Sequence, residues 1–243
     1  MSALLTQTAN DLLNRVALEV GLEQVADPWA STEKEFIKLG GLLNIAGEEL
    51  SQNYPWEFLV KEHTIVTVAA DQEYDLPSDF LYMVNQTGWE RTQSNPLAGP
   101  LSPQDWQYLA GRDLVSSSIY TSFRINEGVF KVYPDPIAAD LEITFEYVSR
   151  NWVLDGTTGN TYKAAVTQGS DTPQFDRLLL SRFLKVKWLE STGHESSKAQ
   201  ADLNQSFSLL MGREKGAAIL NSGRGYRGFP YLTGGSVPDS GYG

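Results

Sequence analysis

The hydrophobic period of this chain changes twice, and this pattern limits its fold more than any other feature. Near the N-terminus, apolar residues such as Leu12 and Val16 recur at helical spacing, and residues 64–68 then read as a strand. Helical spacing returns late in the chain, for example at Leu203 and Phe207. The pattern predicts an α+β fold: an antiparallel helical bundle with an inserted, mostly antiparallel β module and a flexible C-terminal arm.

Two helices are predicted before residue 60. The first spans residues 4–20 and is followed by Gly21, a residue type that favours a helix C-terminus. The second follows Thr32 and Glu35, which match a capping box, and ends near residue 53. The short connection between them favours an antiparallel pair.

Three more helices are predicted from cap and proline signals. Residues 103–110 follow Ser102 as a short helix, and Thr172-Pro173 is taken as the cap of a helix that ends near residue 191. The break at Thr192-Gly193-His194 separates this helix from a last one, over residues 196–220.

Short apolar runs in the middle of the chain predict the β module. Residues 74–80 are expected to form an irregular link, because Pro77 disfavours regular structure there. Asn126-Glu127-Gly128 predicts a tight turn between two strands. The predicted strands are residues 64–68, 81–89, 120–125, 129–133 and 141–148.

Four segments are expected on this basis. They are an N-terminal helix pair (1–60), a β module with a short helical insertion (61–170), a C-terminal helix pair that completes the body (171–220) and an arm (221–243). The arm holds seven glycines, two prolines and four aromatic residues, a composition that cannot form an independent core.

The charge of −11 is spread unevenly along the chain. Residues 1–60 carry −6 and residues 61–150 carry −7, whereas residues 151–243 carry +2. An acidic body disfavours sequence-independent binding of nucleic acid, which depends on Lys and Arg contacts to phosphates. The acidity favours either simple solubility or a surface that lies near DNA without binding it.

Composition also limits the compartment. The chain has no cysteine, so neither disulfides nor thiolate metal sites are expected, which fits assembly in a reducing cytoplasm. It has no apolar run of 18 residues, and its first residues lack the basic region of a signal peptide.

The residues give little support for catalysis, and no catalytic, cofactor or metal site is predicted. His63 and His194 have no partner pattern that would orient them as bases. Residues 223–228 match G-x-G-x-x-G by letter but follow a helix, whereas the dinucleotide motif follows a strand. A pair of carboxylates is the remaining enzymatic option, with candidates Glu48, Glu49 and Glu57.

Four phrases in order resemble the head-to-tail adaptor or tail tubular proteins of short-tailed bacteriophages. The resemblance covers roughly residues 4–220, and the glycine-rich arm is outside it. The phrases are N-Y-P-W-E-F-L (53–59), Y-D-L-P-S-D-F (74–80), Y-P-D-P (133–136) with the strand and S-R-N-W that follow it (141–152), and a closing helical pair that begins near Asp176 and runs into Lys187-Trp188.

The resemblance implies a structural virion protein rather than an enzyme, assembled in the host cytoplasm and without a membrane anchor. It implies a homo-oligomeric ring of twelve copies below the portal protein, which extends the DNA channel and carries the tail nozzle, tail tube and tail fibre proteins. Duplex DNA would pass through without specific binding. An adaptor-related peptidoglycan hydrolase and a generic soluble binding module are the alternatives.

Two groups of residues are assigned roles. Aromatic and arginine side chains of the arm offer rigid anchors and bidentate donors to the portal: Arg224, Tyr226, Arg227, Phe229 and Tyr231. Structural anchors of the body are expected at Trp56, Phe58, Pro77 and Trp152. Trp56 is expected to hold helix and β module together, with a subunit contact as the alternative. The channel wall is expected to come from the acidic residues 1–150.

Overall fold

The computed structural model describes residues 6–69, 71–111, 121–133 and 138–214. The described helices are α1 (Ala9–Glu19), α2 (Lys34–Asn53), α3 (Pro103–Gly111), α4 (Arg177–Thr192) and α5 (Ser197–Glu214). A single turn of 3₁₀ helix, Glu57–Leu59, follows α2 and leads directly into the first strand.

The strands form three antiparallel sheets. They are β1 (Val60–Val66), β2 (Glu73–Asp75), β3 (Phe80–Met83), β4 (Trp89–Glu90), β5 (Asn95–Pro96), β6 (Ser122–Asn126), β7 (Val129–Tyr133), β8 (Glu142–Ser149), β9 (Val153–Leu154), β10 (Tyr162–Lys163) and β11 (Thr172–Pro173). The largest sheet has the order β1-β8-β4-β5, and β3 also pairs with β8. The other two sheets have the orders β2-β7-β6 and β10-β9-β11.

Helix α4 lies at the centre of the helical packing. It begins where the Asp176 side chain accepts hydrogen bonds from the backbone N–H groups of Leu178 and Leu179, and it ends at Gly193 in the left-handed conformation. Its apolar side chains are buried on several sides because α1, α2 and α5 all pack against it. The N- and C-terminal helices therefore share one hydrophobic core.

A second core lies between the two larger sheets, and strand β8 contributes to both cores. Phe123, Phe130 and Phe145 stack in a row, with ring centroids 5.0 Å and 5.1 Å apart. Phe145 belongs to β8, and so does Val148, whose side chain is buried in the helical core instead. The alternation of side chains along β8 thus connects helices and sheets.

Three predicted helix starts are wrong. The first helix begins at Ala9, because the Thr8 side chain caps it by accepting from the N–H of Asp11. The second has Glu33 as its N-cap and no side-chain cap, so the capping box at Thr32 and Glu35 does not form. Thr172-Pro173 is strand β11, where a proline is tolerated because β11 pairs only with β9.

The strand predictions also need correction. Residues 81–89 are two strands, because a turn in which Gln86 has φ of 63° separates β3 from β4. The link 74–80 is not wholly irregular, because Tyr74 and Asp75 belong to β2, which pairs with β7. The first strand spans Val60–Val66 rather than 64–68, and no strand was predicted for the small sheet of β9, β10 and β11.

The α+β class is confirmed, and so is the short helix near residue 103. The turn at Glu127-Gly128 is confirmed as well, and both of its residues have positive φ. The finer description as an antiparallel bundle with an inserted module and four segments stays a prediction. Residues 215–220 of the predicted last helix, the arm and Asp135-Pro136 lie outside the described residues.

Candidate interaction surfaces

A groove rich in arginine runs between α1, α4 and α5. Its volume is about 400 Å³, and we call it the arginine groove. Leu178 and Leu209 lie beside the charges with exposed fractions of 41% and 55%. The lining residues are Arg15, Asp176, Arg177, Leu178, Arg182, Gln205, Ser206, Leu209, Leu210 and Arg213.

The charges of the arginine groove are largely uncompensated. Its one carboxylate, Asp176, is occupied by the cap of α4. Arg182 connects α4 to α5 through hydrogen bonds to the Asp202 carbonyl, at 2.8 Å, and to the Ser206 hydroxyl. Within the described part of the chain, the other three arginines form no ion pair with a carboxylate.

A surface of opposite character lies on the outer face of the largest sheet. Glu62 of β1 stands directly opposite Glu146 of β8, a pairing of like charges that costs free energy. Arg91 offsets it in part with an ion pair to Glu62 at 2.6 Å, between groups that are half exposed. Such exposed pairs contribute at most about 1 kcal/mol.

Apolar side chains accompany these carboxylates. Val66 and Trp89 have exposed fractions of 53% and 38%. Glu142, Thr144 and Glu146 alternate along β8 on this face, which we call the acidic sheet face. A groove of about 570 Å³ crosses it, lined by Glu62, Gln86, Thr87, Trp89, Arg91, Ser94, Thr144, Phe145 and Glu146.

The strand pattern explains why this face is open. Ile143, Phe145 and Tyr147 of β8 are buried in the core between the two larger sheets. On the opposite side of β8, the helical core covers Val148 but leaves Glu146 and Glu142 exposed. An antiparallel sheet is stable with one solvated face, so this surface needs no further cover within the subunit.

Asp171 organises the small sheet and the start of α1. Its buried carboxylate accepts hydrogen bonds from the backbone N–H groups of Gly156, Thr167 and Gln168 and forms an ion pair with Lys163 at 2.7 Å. Burial acts to raise the pKa of Asp171, but these donors outweigh it and hold the pKa far below its ordinary value.

Asp79 gives the sequence L-P-S-D-F a structural role. Its carboxylate accepts hydrogen bonds from Tyr147 at 2.9 Å and Ser149 at 2.7 Å, and it pairs with Lys61 at 2.6 Å. Burial opposes ionisation, yet these three donors lower the pKa of Asp79. Burial and Asp79 together raise the pKa of Tyr147 to about 12. The phrase thus fastens β3 to β8 and β1.

Three predicted anchors surround one residue, Phe175. Trp56 is only 2% exposed, donates from Nε1 to the Leu50 carbonyl at 2.7 Å and meets Phe175 edge-on at 6.0 Å. Phe58 contacts the same ring at 5.2 Å and Trp152 at 5.8 Å. Trp56 therefore lies in the helical core, while its energetic role stays a prediction.

Pro77, the fourth predicted anchor, is not part of this cluster. Pro77 is partly exposed in the turn before β3, where its carbonyl accepts from the N–H of Phe80 at 2.9 Å. All five arm residues, Arg224, Tyr226, Arg227, Phe229 and Tyr231, lie outside the described residues.

The enzymatic candidates are dispersed. Glu49 pairs with Lys187 of α4 at 2.7 Å, Glu48 is exposed on α2, and Glu57 begins the 3₁₀ turn. Neither groove described above is lined by any of the three. In the residues that the structure describes, no cluster of three His, Asp or Glu side chains is suited to a metal ion. No helix among them has the length and hydropathy needed to cross a membrane.

The arginine groove and the acidic sheet face were not predicted. Arg15, Arg177 and Arg213 are far apart in the sequence, and only the packing of three helices brings them together. Pairing of β1 with β8 likewise joins Glu62 to Glu146. The sequence feature that comes nearest to them is the net charge of each segment, and that charge does not say where either surface lies.

A family model described as SU10 adaptor protein matches residues 7–226, which include every described helix and strand. No curated protein matches the chain. The matched stretch ends within the glycine-rich arm.

Proposed function

The chain belongs to the SU10 adaptor protein family, and from this membership we propose that it forms a closed ring at the head-to-tail junction of a phage. The resemblance to head-to-tail adaptors of short-tailed phages is confirmed by this match, so the protein is a phage structural adaptor and a component of the virion. The match over residues 7–226 is the observation that carries the proposal.

In the proposed assembly, about twelve copies lie below the portal and extend the DNA channel. The charge distribution supports this role, because residues 1–150 carry a net charge of −13, whereas residues 151–243 carry +2. A channel wall drawn from these residues repels the duplex over about 8–10 Å at physiological salt, so DNA passes during packaging and ejection without being held.

The docking partners follow from the same proposal. The arm, with Arg224, Tyr226, Arg227, Phe229 and Tyr231, contacts the portal, because an arm that orders on its partner adds buried area. The remaining surface of the ring carries the tail nozzle, tail tube and tail fibre proteins. Assembly takes place in the host cytoplasm.

Imaging of purified particles tests this function. We expect averaged density for a ring of this protein between portal and tail, labelled through a tag added at its C-terminus. Particles in which the protein is absent, or is found only in the distal tail, would overturn the proposal. Binding of the purified protein to isolated portal rings is the matching test in solution.

We further propose that the protein is not an enzyme. Glu49 is held in its ion pair with Lys187, and the described groove surfaces place no two candidate carboxylates together. Purified protein and its Glu48→Gln, Glu49→Gln and Glu57→Gln variants should all leave peptidoglycan intact. Cell-wall hydrolysis that one of these substitutions abolishes would contradict the proposal.

A further inference from the structure

Two surfaces of the subunit are complementary in charge and in apolar content. The arginine groove presents Arg15, Arg177 and Arg213 without carboxylate partners in the described chain, next to two exposed leucines. The acidic sheet face presents three glutamates and one arginine, next to an exposed tryptophan and valine. The groove thus offers cations to the carboxylates of the face, and each surface has exposed apolar side chains that the other can cover.

We propose that the arginine groove of one subunit binds the acidic sheet face of a second copy of the same chain. This inference rests on the proposed ring, because a ring of identical subunits requires contacts between two different faces. The groove is built by helices α1, α4 and α5, whereas the face is built by strands β1, β4 and β8. The two faces are therefore distinct, as a head-to-tail contact demands.

Other occupants of the arginine groove fit less well. The arm of the same chain carries Arg224 and Arg227 against one acidic residue, Asp239, so its net positive charge opposes binding to arginines. Duplex DNA would satisfy the arginines but not Leu178 and Leu209, which are 41% and 55% exposed at the groove. A protein surface that combines carboxylates with apolar side chains satisfies both.

Chemical crosslinking in assembled particles tests the contact. The chain has no cysteine, so Leu209→Cys in the groove and Val66→Cys on the face supply the only thiols of the subunit. A short bis-maleimide should join the double variant into a ladder of multimers on a denaturing gel. The matched control pairs Leu209→Cys with Ile37→Cys, since Ile37 is 62% exposed on α2, and should give no ladder.

A charge exchange gives a second and independent readout. Arg177→Glu with Arg213→Glu should reduce the yield of tailed particles at least tenfold, and so should Glu62→Arg with Glu146→Arg. Co-expression of the two double variants should restore the yield, because each altered surface then meets the altered partner. Arg182 is left unchanged because it connects α4 to α5. Lys34→Glu with Arg150→Glu, two substitutions outside both surfaces, is the charge-matched control.

The outcomes separate this inference from the proposed function. If imaging shows the ring but the Leu209–Val66 variant gives no ladder, or co-expression fails to restore assembly of variants that melt as the wild type does, the contact is wrong and the ring stands. If the protein is absent from the head-to-tail junction, the proposed function itself falls. A ladder that stops at two subunits would keep the contact and overturn the ring.

Discussion

At the scale of single residues, the packing of the helical core requires a glycine at position 47. Gly47 lies in the middle of α2, and a Cβ built there would stand 2.2 Å from the ring of Trp152, a residue that is 1% exposed. The tryptophan is enclosed by the helical core, so it has little room to move. This close approach explains why a helix former such as alanine is excluded.

Gly47→Ala should therefore destabilise the protein by about 1–3 kcal/mol or more through overpacking. Gly41→Ala in the same helix is the matched control, because nothing lies within 4 Å of its Cβ. That substitution should stabilise the protein by about 0.5–1 kcal/mol, since alanine is the better helix former. Denaturant unfolding measures both, and equal effects would contradict the argument.

Trp56→Ala should cost about 3–5 kcal/mol, because the ring is buried against three other aromatic side chains and the Leu50 carbonyl loses its N–H donor. Trp89→Ala is the control, because Trp89 is 38% exposed. It should lower the free energy of unfolding clearly less than Trp56→Ala does, while weakening assembly of the ring. Unchanged stability of Trp56→Ala would assign Trp56 to a subunit contact instead.

Asp171 makes stability depend on pH in the acid range. Its pKa is lowered in the folded state, so its contribution is present above the unfolded value near 3.9 and is lost as pH falls towards the folded value. Asp171→Asn should cost about 2 kcal/mol at pH 7, and its deficit should shrink below about pH 4. Glu23→Gln, at an exposed site, should show neither effect. A deficit that is constant with pH would show that packing, not charge, is responsible.

At the scale of secondary-structure elements, the type of each element is predicted from the sequence more accurately than its first residue. Apolar residues at helical spacing identified α1, α2, α4 and α5, because a helix that buries one face needs apolar residues at that spacing. The start of α4 was misplaced, because Thr172-Pro173 fits a helix cap and an edge strand equally well, and the pairing with β9 decides between them. Asp176, three residues further on, is the actual cap.

The two interaction surfaces lie beyond what local patterns contain. Arg15 and Arg213 meet only because α1 and α5 both line one groove beside α4, and Glu62 faces Glu146 only through the register of β1 with β8. Periodicity reports which side of an element is buried, but not which elements adjoin. The aromatic cluster was more accessible to prediction, because Trp56, Phe58 and Trp152 are large apolar residues that tend to be buried.

Deletion of residues 224–243 should leave the body folded and weaken its attachment to the portal. All the described elements end by Glu214, and the composition of the arm cannot form a core. Thermal unfolding of the truncated protein should agree with that of the full chain to within about 1 kcal/mol. Binding to isolated portal rings should fall, and a large loss of stability would contradict this division.

At the scale of the whole molecule, the net charge predicts weak affinity for DNA. The soluble protein should not bind duplex DNA at about 0.15 M salt, since its net charge is −11. Lys185 and Lys187 are neutralised by Glu19 and Glu49, so the basic side chains of α4 offer fewer phosphate contacts than their number suggests. Tight binding in a gel-shift assay would contradict this expectation, as would a channel wall in the assembled ring dominated by Arg177, Arg182, Lys185 and Lys187.

Strand β8 belongs to both hydrophobic cores, and this gives the molecule a mechanical property. Its register with β1 pairs seven residues, from Val60 with Val148 to Val66 with Glu142. Displacement of the helices along the sheet would have to shear this ladder as a unit, and hydrogen bonds loaded in parallel yield together rather than one at a time. We therefore expect the subunit to deform little between its helices and its largest sheet, a stiffness that would suit the ring proposed above.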